Sequence, residues 1–309
     1  MMMDRVWFSK GLRGHSATRI QQYLLALGYA GGQSASFVDG DFGAMTETAL
    51  GNLQAAHGRP RLGAVDTGTW SLLTPDPLPT LFDRCLDLTA AFEGHGFTLL
   101  QGNFDGAGFT WGIVGFTLQS GEIPALLRDI DALAPGTVAA ALGPLQQEWT
   151  QVTAKPWTAQ LAWADGLSQP GNKQLARADW KQAFDRLGRT PAAQQAQCAR
   201  AHQDYFVRAQ AQAKRLNLVT ELGVALAFDV CVQNGGFKDA AFELAEKLGD
   251  SVTEAELRVR LADAVADSAR PEWIANVRAR KRTIATGAGV ANQSPYRLAS
   301  WGLQDVLAE

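Results

Sequence analysis

Between Thr74 and Pro79 the chain reads Thr-Pro-Asp-Pro-Leu-Pro, with three prolines in five positions. A proline ring fixes φ and has no N–H to donate, so neither a helix nor a sheet ladder can run through such a stretch. The chain is therefore expected to fold as a short segment, 1–74, a stiff connector, 75–79, and a long segment, 80–309. Few contacts are expected across a boundary of this composition. The 309 residues suffice for two domains with a sizeable core.

The short segment carries three helical patterns punctuated by turn chemistry. Ile20, Tyr23, Leu24 and Leu27 fall at helical spacing over 17–27, and Gly28 follows as a left-handed stop. Val38-Asp39-Gly40-Asp41-Phe42-Gly43 leads into a second helix through Thr46, Ala49, Leu50 and Leu53, ended by Gly58. Asp66 can cap a third short turn bearing Thr69, Trp70, Leu72 and Leu73. Four pieces resemble the three-helix peptidoglycan-binding domain found on many wall hydrolases. They are Ile20-Gln21-x-x-Leu24, Val38-Asp39-Gly40-x-Phe42-Gly43-x-x-Thr46, Leu53-Gln54, and Gly63-x-Val65-Asp66-x-x-Thr69-Trp70.

The long segment is mostly helical in pattern. Phe82, Cys85, Leu88 and Phe92 form one stripe over 81–93, a helix that closes on Glu93. Phe104–Phe116 is the one stretch that reads as strand and turn. Further helices are expected near 123–133, 138–152, 178–187 and 190–216, the last opened by Thr190-Pro191. The stretch 219–232 is apolar nearly all round and reads as a buried central helix. Thr253-x-x-Glu256 is a capping box, and Pro271 opens a helix to about Arg282. The basic run 278–282 is either the solvated end of that helix or an ion-pair partner for a buried carboxylate. The fold class expected is mainly α, with a three-helix wall-binding domain followed by an α+β domain bearing one small β-lobe.

Glu93 and Asp105 stand twelve positions apart. The first ends a helix beside apolar Ala91 and Phe92; the second sits on a glycine-rich turn, Asp105-Gly106-Ala107-Gly108. Cleaving a glycosidic bond needs a protonated carboxyl beside the leaving oxygen and an ionised carboxylate on the other face of the sugar. A desolvated helix end suits the acid, and a wet turn suits the base.

The run Asp105-Gly-x-Gly-Phe-Thr110-x-Gly-Ile-Val-Gly-Phe116 resembles the signature of the family 46 chitosanases, of the lysozyme-like superfamily, and the match continues to Ser120-Gly121-Glu122. Phe228–Gly236 is similar to their buried helix and the turn that ends it. The resemblance implies a lysozyme-like domain, with Glu93 as general acid, Asp105 as base, Thr110 holding the attacking water, and inversion at the anomeric carbon. It also implies that Glu122 contacts the sugar, unless its charge simply suits the start of the next helix. Two departures leave the identity of the substrate open. The carboxylate gap is shorter and nearer that of phage lysozymes, and Gln233-Asn234 stands where chitosanases carry histidine. Those two, with Trp111, are the further candidates for substrate binding; Trp111 could equally be core.

Composition closes off other classes. A net charge of −3 argues against nucleic acid, which needs clustered Lys and Arg. No eighteen-residue apolar run exists to span a membrane, and the N-terminus lacks the pattern of a secretory leader. Cys85, Cys198 and Cys231 read as reduced thiols of a protein folded in the cytosol, which would reach the wall after lysis or by a dedicated secretion machine. The four histidines show no metal spacing, so neither metal nor cofactor is expected. The reading is a monomeric muramidase, endolysin-like in organisation, cleaving β-1,4 bonds of peptidoglycan. A chitosanase and a non-catalytic wall-binding protein are its rivals.

Overall fold

The structure, a computed structural model, describes residues 5–32, 36–94 and 96–308. From the N-terminus come β1 (Val6–Phe8), α1 (His15–Ala26), α2 (Ala44–Ala56), β2 (Val65–Asp66), α3 (Thr67–Leu73) and α4 (Leu81–Glu93). Next are β3 (Leu100–Gln101), β4 (Thr110–Trp111), β5 (Phe116–Thr117), α5 (Glu122–Leu133), α6 (Thr137–Leu142), α7 (Gln146–Thr153) and α8 (Trp157–Leu167). They are followed by β6 (Ser168–Gln169), β7 (Asn172–Ala176), α9 (Ala178–Gly188) and α10 (Pro191–Ala201). The chain closes with α11 (Val207–Arg215), α12 (Glu221–Asn234), α13 (Asp239–Leu248), α14 (Glu254–Asp267), α15 (Ile274–Thr286), β8 (Ala288–Ala291) and β9 (Ser294–Arg297). The fold is mainly α with small antiparallel sheets, as the pattern predicts.

The chain divides into two compact units: one made of 1–92 with 205–309, the other of 93–204. The proline stretch 75–79 lies within the first of these units, and hydrogen bonds run between the segments on either side of it. Arg84 on α4 donates to Glu221 Oε1 (2.9 Å) and to the Gly302 carbonyl, while Arg5 donates to the same two groups. The Ser16 amide donates to Asp87 Oδ2 on α4 at 2.9 Å, which serves the start of α1, where Gly14 offers no side-chain cap. Proline stops helices, but it does not stop the flanking segments from packing back on one another.

Two buried glutamines organise the N-terminal segment. Gln21 donates to Asp39 Oδ1 (2.7 Å), the Asp41 carbonyl and Thr46 Oγ1, and accepts from the Gly40 amide (2.8 Å). Gln54 donates to the Ala64 carbonyl (2.8 Å) and Thr69 Oγ1 (2.9 Å), and accepts from the Gly63 amide. Asp66 caps α3 through the Thr69 amide (2.6 Å), as its position predicts. The motif residues thus mainly satisfy one another's polar groups around a core that includes Leu24, Phe42, Leu50 and Trp70.

In the same unit, α12 is buried from Glu221 to Cys231, in agreement with its all-round apolar pattern. Its one internal charge, Asp229, accepts from Arg280 and Lys281 of α15 and from Thr89 of α4, with all three ionic side chains at 2% exposure or less. Burial pushes the Asp229 pKa up, yet the two cations outweigh it and hold it at about 2. The second of the two readings of the basic run is thus correct for Arg280 and Lys281. Arg278 and Arg282 instead pair with Asp263 and Asp267 at the surface.

The second unit, 93–204, is built on a five-stranded antiparallel sheet in the order β5-β4-β3-β7-β6. The single expected strand region is thus two short strands, β4 and β5, flanked by others. The hairpin β6–β7 escaped the sequence reading, although Pro170-Gly171 at its tip is a turn signal. The helix expected over 138–152 breaks into α6 and α7 at Gly143-Pro144. Phe109, Trp149, Trp163, Trp180 and Phe184 pack ring to ring at centroid distances from 4.9 to 6.3 Å. Trp149 and Trp180 are core, while Trp163 is half-buried and donates its indole N–H to Glu148 at 2.7 Å.

Candidate active site

Glu93 is the last residue of α4, and Gly94 follows in the left-handed region at φ 68°, where a glycine ends a helix without strain. The Glu93 side chain is half-buried. Its two predecessors, Ala91 and Phe92, carry the apolar surface of the last turn, and Phe92 is 4% exposed.

Asp105 is exposed on the loop between β3 and β4. Its Oδ1 accepts from the Ala107 amide at 3.0 Å, so the side chain closes its own turn, and Gly106 and Gly108 take positive φ beside it. Buried Asn103 pins the loop: its Oδ1 accepts from the Gly108 amide (3.0 Å) and its Nδ2 donates to Asp165 (2.9 Å). Sequence reasoning passed over Asn103, though an Asn ahead of an Asp-Gly turn is a signal for such pinning.

Thr110 begins β4 and pairs with Thr117 across the β4–β5 hairpin. It is 6% exposed, and its Oγ1 has no hydrogen-bond partner among the described residues. A buried hydroxyl left so in a folded interior costs free energy unless something else satisfies it. Trp111, next along the strand, is fully buried and meets Phe184 edge-on at 5.1 Å. Stacking on a sugar needs an open ring face, so Trp111 is corrected from substrate candidate to core.

The hairpin loop 112–115 is fixed from outside by Gln197 of α10, which is fully buried. Its Oε1 accepts from the Ile113 amide (3.0 Å) and its Nε2 donates to the Phe97 carbonyl (3.0 Å). Gly112, at φ 87°, has no room for a side chain because an added Cβ would overlap Gln197. Nothing in the local sequence flags Gln197, which lies 84 positions from its partner Ile113.

Glu122 opens α5, and its Oε2 accepts from the Thr117 amide (2.9 Å) and Ser120 Oγ (2.6 Å). The carboxylate ties the β5–α5 connection together. Glu93, Asp105, Thr110 and Glu122 all fall within the 93–204 unit. Gln233 and Asn234 belong to the other, at the end of α12: Gln233 accepts from Lys281 (2.7 Å), while buried Asn234 Oδ1 has no partner among the described residues. Among the described residues no cluster of three His, Cys, Asp or Glu could hold a metal ion, and no helix is long and apolar enough to cross a membrane.

Residues 13–73 match the family model for the putative peptidoglycan binding domain. Among solved structures, one titled "Chitosanase complex structure" is similar at 21% identity and a TM-score of 0.46, over 69% of this chain and 94% of that one. Among curated proteins, none matches.

Proposed function

We propose that the chain is a cell-wall glycosidase, in which a peptidoglycan-binding segment holds a lysozyme-like catalytic domain on its polymer. The reading is supported by three features: a carboxyl at the end of a helix, an exposed carboxylate on a self-closed turn, and a strand threonine whose hydroxyl has no partner among the described residues. Glu93 protonates the leaving oxygen, Asp105 takes a proton from the attacking water, and the Thr110 hydroxyl orients that water. Inversion requires the two carboxyl groups to stand roughly 6.5 to 9.5 Å apart, the room an interposed water needs. The wall-binding segment favours peptidoglycan as the substrate, since tethering raises its local concentration without any new contact in the active site.

The experiment is incubation of the full chain with purified peptidoglycan and, separately, with chitosan, followed by mass analysis of the products. Muropeptides cut between the two aminosugars, with α-configured reducing ends by NMR immediately after cleavage, are the expected result. Cleavage of chitosan alone would replace the muramidase reading with the chitosanase one. Binding to peptidoglycan without cleavage of either polymer would leave a wall-binding protein.

A further inference from the structure

The β8–β9 hairpin turns through Asn292 and Gln293, both at positive φ (49° and 62°). Two such residues in succession define the tight turn whose twist matches that of the strands, and asparagine tolerates the conformation better than most side chains. The side chain of Asn292 is then used on both ends. Its Oδ1 accepts from Asn276 Nδ2 of α15 at 2.7 Å, which fixes the orientation of the amide, and its Nδ2 donates to the Phe92 carbonyl at 2.9 Å. From β9, the Tyr296 hydroxyl donates to the Ala91 carbonyl at 3.2 Å, while its ring lies against Phe92 with centroids 4.3 Å apart. Arg13, in the N-terminal segment, braces the hairpin by donating to the Pro295 carbonyl (3.0 Å) and lying over the Tyr296 ring at 4.6 Å.

The Ala91 and Phe92 carbonyls belong to the last turn of α4, where intrahelical donors run out and helix ends fray. Glu93 is the next residue along that same turn. We propose that Asn292 and Tyr296 are positioning residues for Glu93: the hairpin caps the end of α4 and so holds the acid's backbone still, with Asn276 and Arg13 as its supports. The inference rests on the glycosidase reading for its consequence in catalysis, but its structural half stands apart from it.

The test uses the full chain with Asn292→Gly, which keeps the positive φ and removes the amide, and with Tyr296→Phe, which keeps the stack and removes the hydroxyl. In Asn292→Gly, amide hydrogen exchange over residues 90–94 should rise about tenfold, with exchange in α12 unchanged. On soluble peptidoglycan fragments kcat should fall by about ten- to a hundredfold with KM within twofold, the signature of a displaced group that acts in the transition state. Tyr296→Phe should show a smaller change in the same two readouts. Unchanged exchange over 90–94 would overturn the inference, and so would raised exchange with kcat intact. If the unsubstituted chain cleaves no glycan, the glycosidase reading falls by itself, and the exchange result still decides whether the hairpin holds the end of α4.

Discussion

Asp105 and Glu93 are the residues on which the proposed chemistry stands. Glu93→Gln keeps shape and hydrogen bonding but cannot release a proton to an alkoxide, so the rate of peptidoglycan cleavage should fall by on the order of 10² to 10⁴ while wall binding persists. Asp105→Asn should cost a similar factor. A Glu93→Gln protein with full activity in a turbidity assay would end the proposed mechanism. A second pair of residues bears on the response to acid. Burial pushes the Asp87 carboxyl up to about 6, against the pull of its bond from Ser16, and burial with the Arg19 charge drives His15 down to about 4. For Asp87 the folded state keeps the proton longer than the unfolded chain, so its contribution to stability falls as pH rises from about 4 to 6. For His15 the folded state resists protonation, so its contribution falls as pH drops from about 6.5 to 4. Each is worth roughly 3 kcal/mol at full extent, and they cancel across the same window. Asp87→Asn should therefore expose the His15 slope. Urea denaturation should find the variant losing about 3 kcal/mol between pH 6.5 and 4, where the unsubstituted protein changes little.

Among the elements, the β4–β5 hairpin shows how a short strand pair is held in place. Its two-residue strands have too few ladder bonds to be stable alone. Gln197 supplies the missing constraint from α10, pairing Ile113 and Phe97 at once. Gln197→Leu would keep the volume and orphan a buried donor and a buried acceptor. At about 1 to 3 kcal/mol each, the expected loss is roughly 2 to 6 kcal/mol in chemical denaturation. A loss below about 1 kcal/mol would mean that the loop finds other partners. The helical elements were legible where caps and stripes agree, as in α3 under Asp66 and α14 under Thr253 and Glu256. They were not legible in α8 or α13, which were passed over.

For the whole molecule, the decisive feature is that the N-terminal segment packs with α4 and the C-terminal segment in one unit. Removing residues 1–79 takes away Arg5 from Glu221, the Ser16 amide from Asp87, and Ser9 and the Lys10 carbonyl from Ser300. Hydrogen bonds to charged groups are worth about 1.5 to 3 kcal/mol each, so the truncated chain should be less stable by at least about 3 kcal/mol. Thermal unfolding of 80–309 beside the full chain measures this. Equal stability would restore the picture of two modules on a proline connector.

The sequence by itself determined the helices of the N-terminal segment, the helix that ends in Glu93 and the turn that exposes Asp105. These follow from local rules: apolar periodicity, caps, and glycines where φ must be positive. It also determined that Asp105 would be wet, because a glycine-rich turn has no side chains with which to cover it. Only the tertiary structure decided that Trp111 is core, that Gln197 braces a hairpin 84 positions away, and that the segments flanking the proline stretch share one compact unit. A tryptophan has the same local signature whether its ring faces a sugar or another ring. A buried glutamine or a packing face is chosen by partners distant in the chain, and no periodicity within a single element can name them.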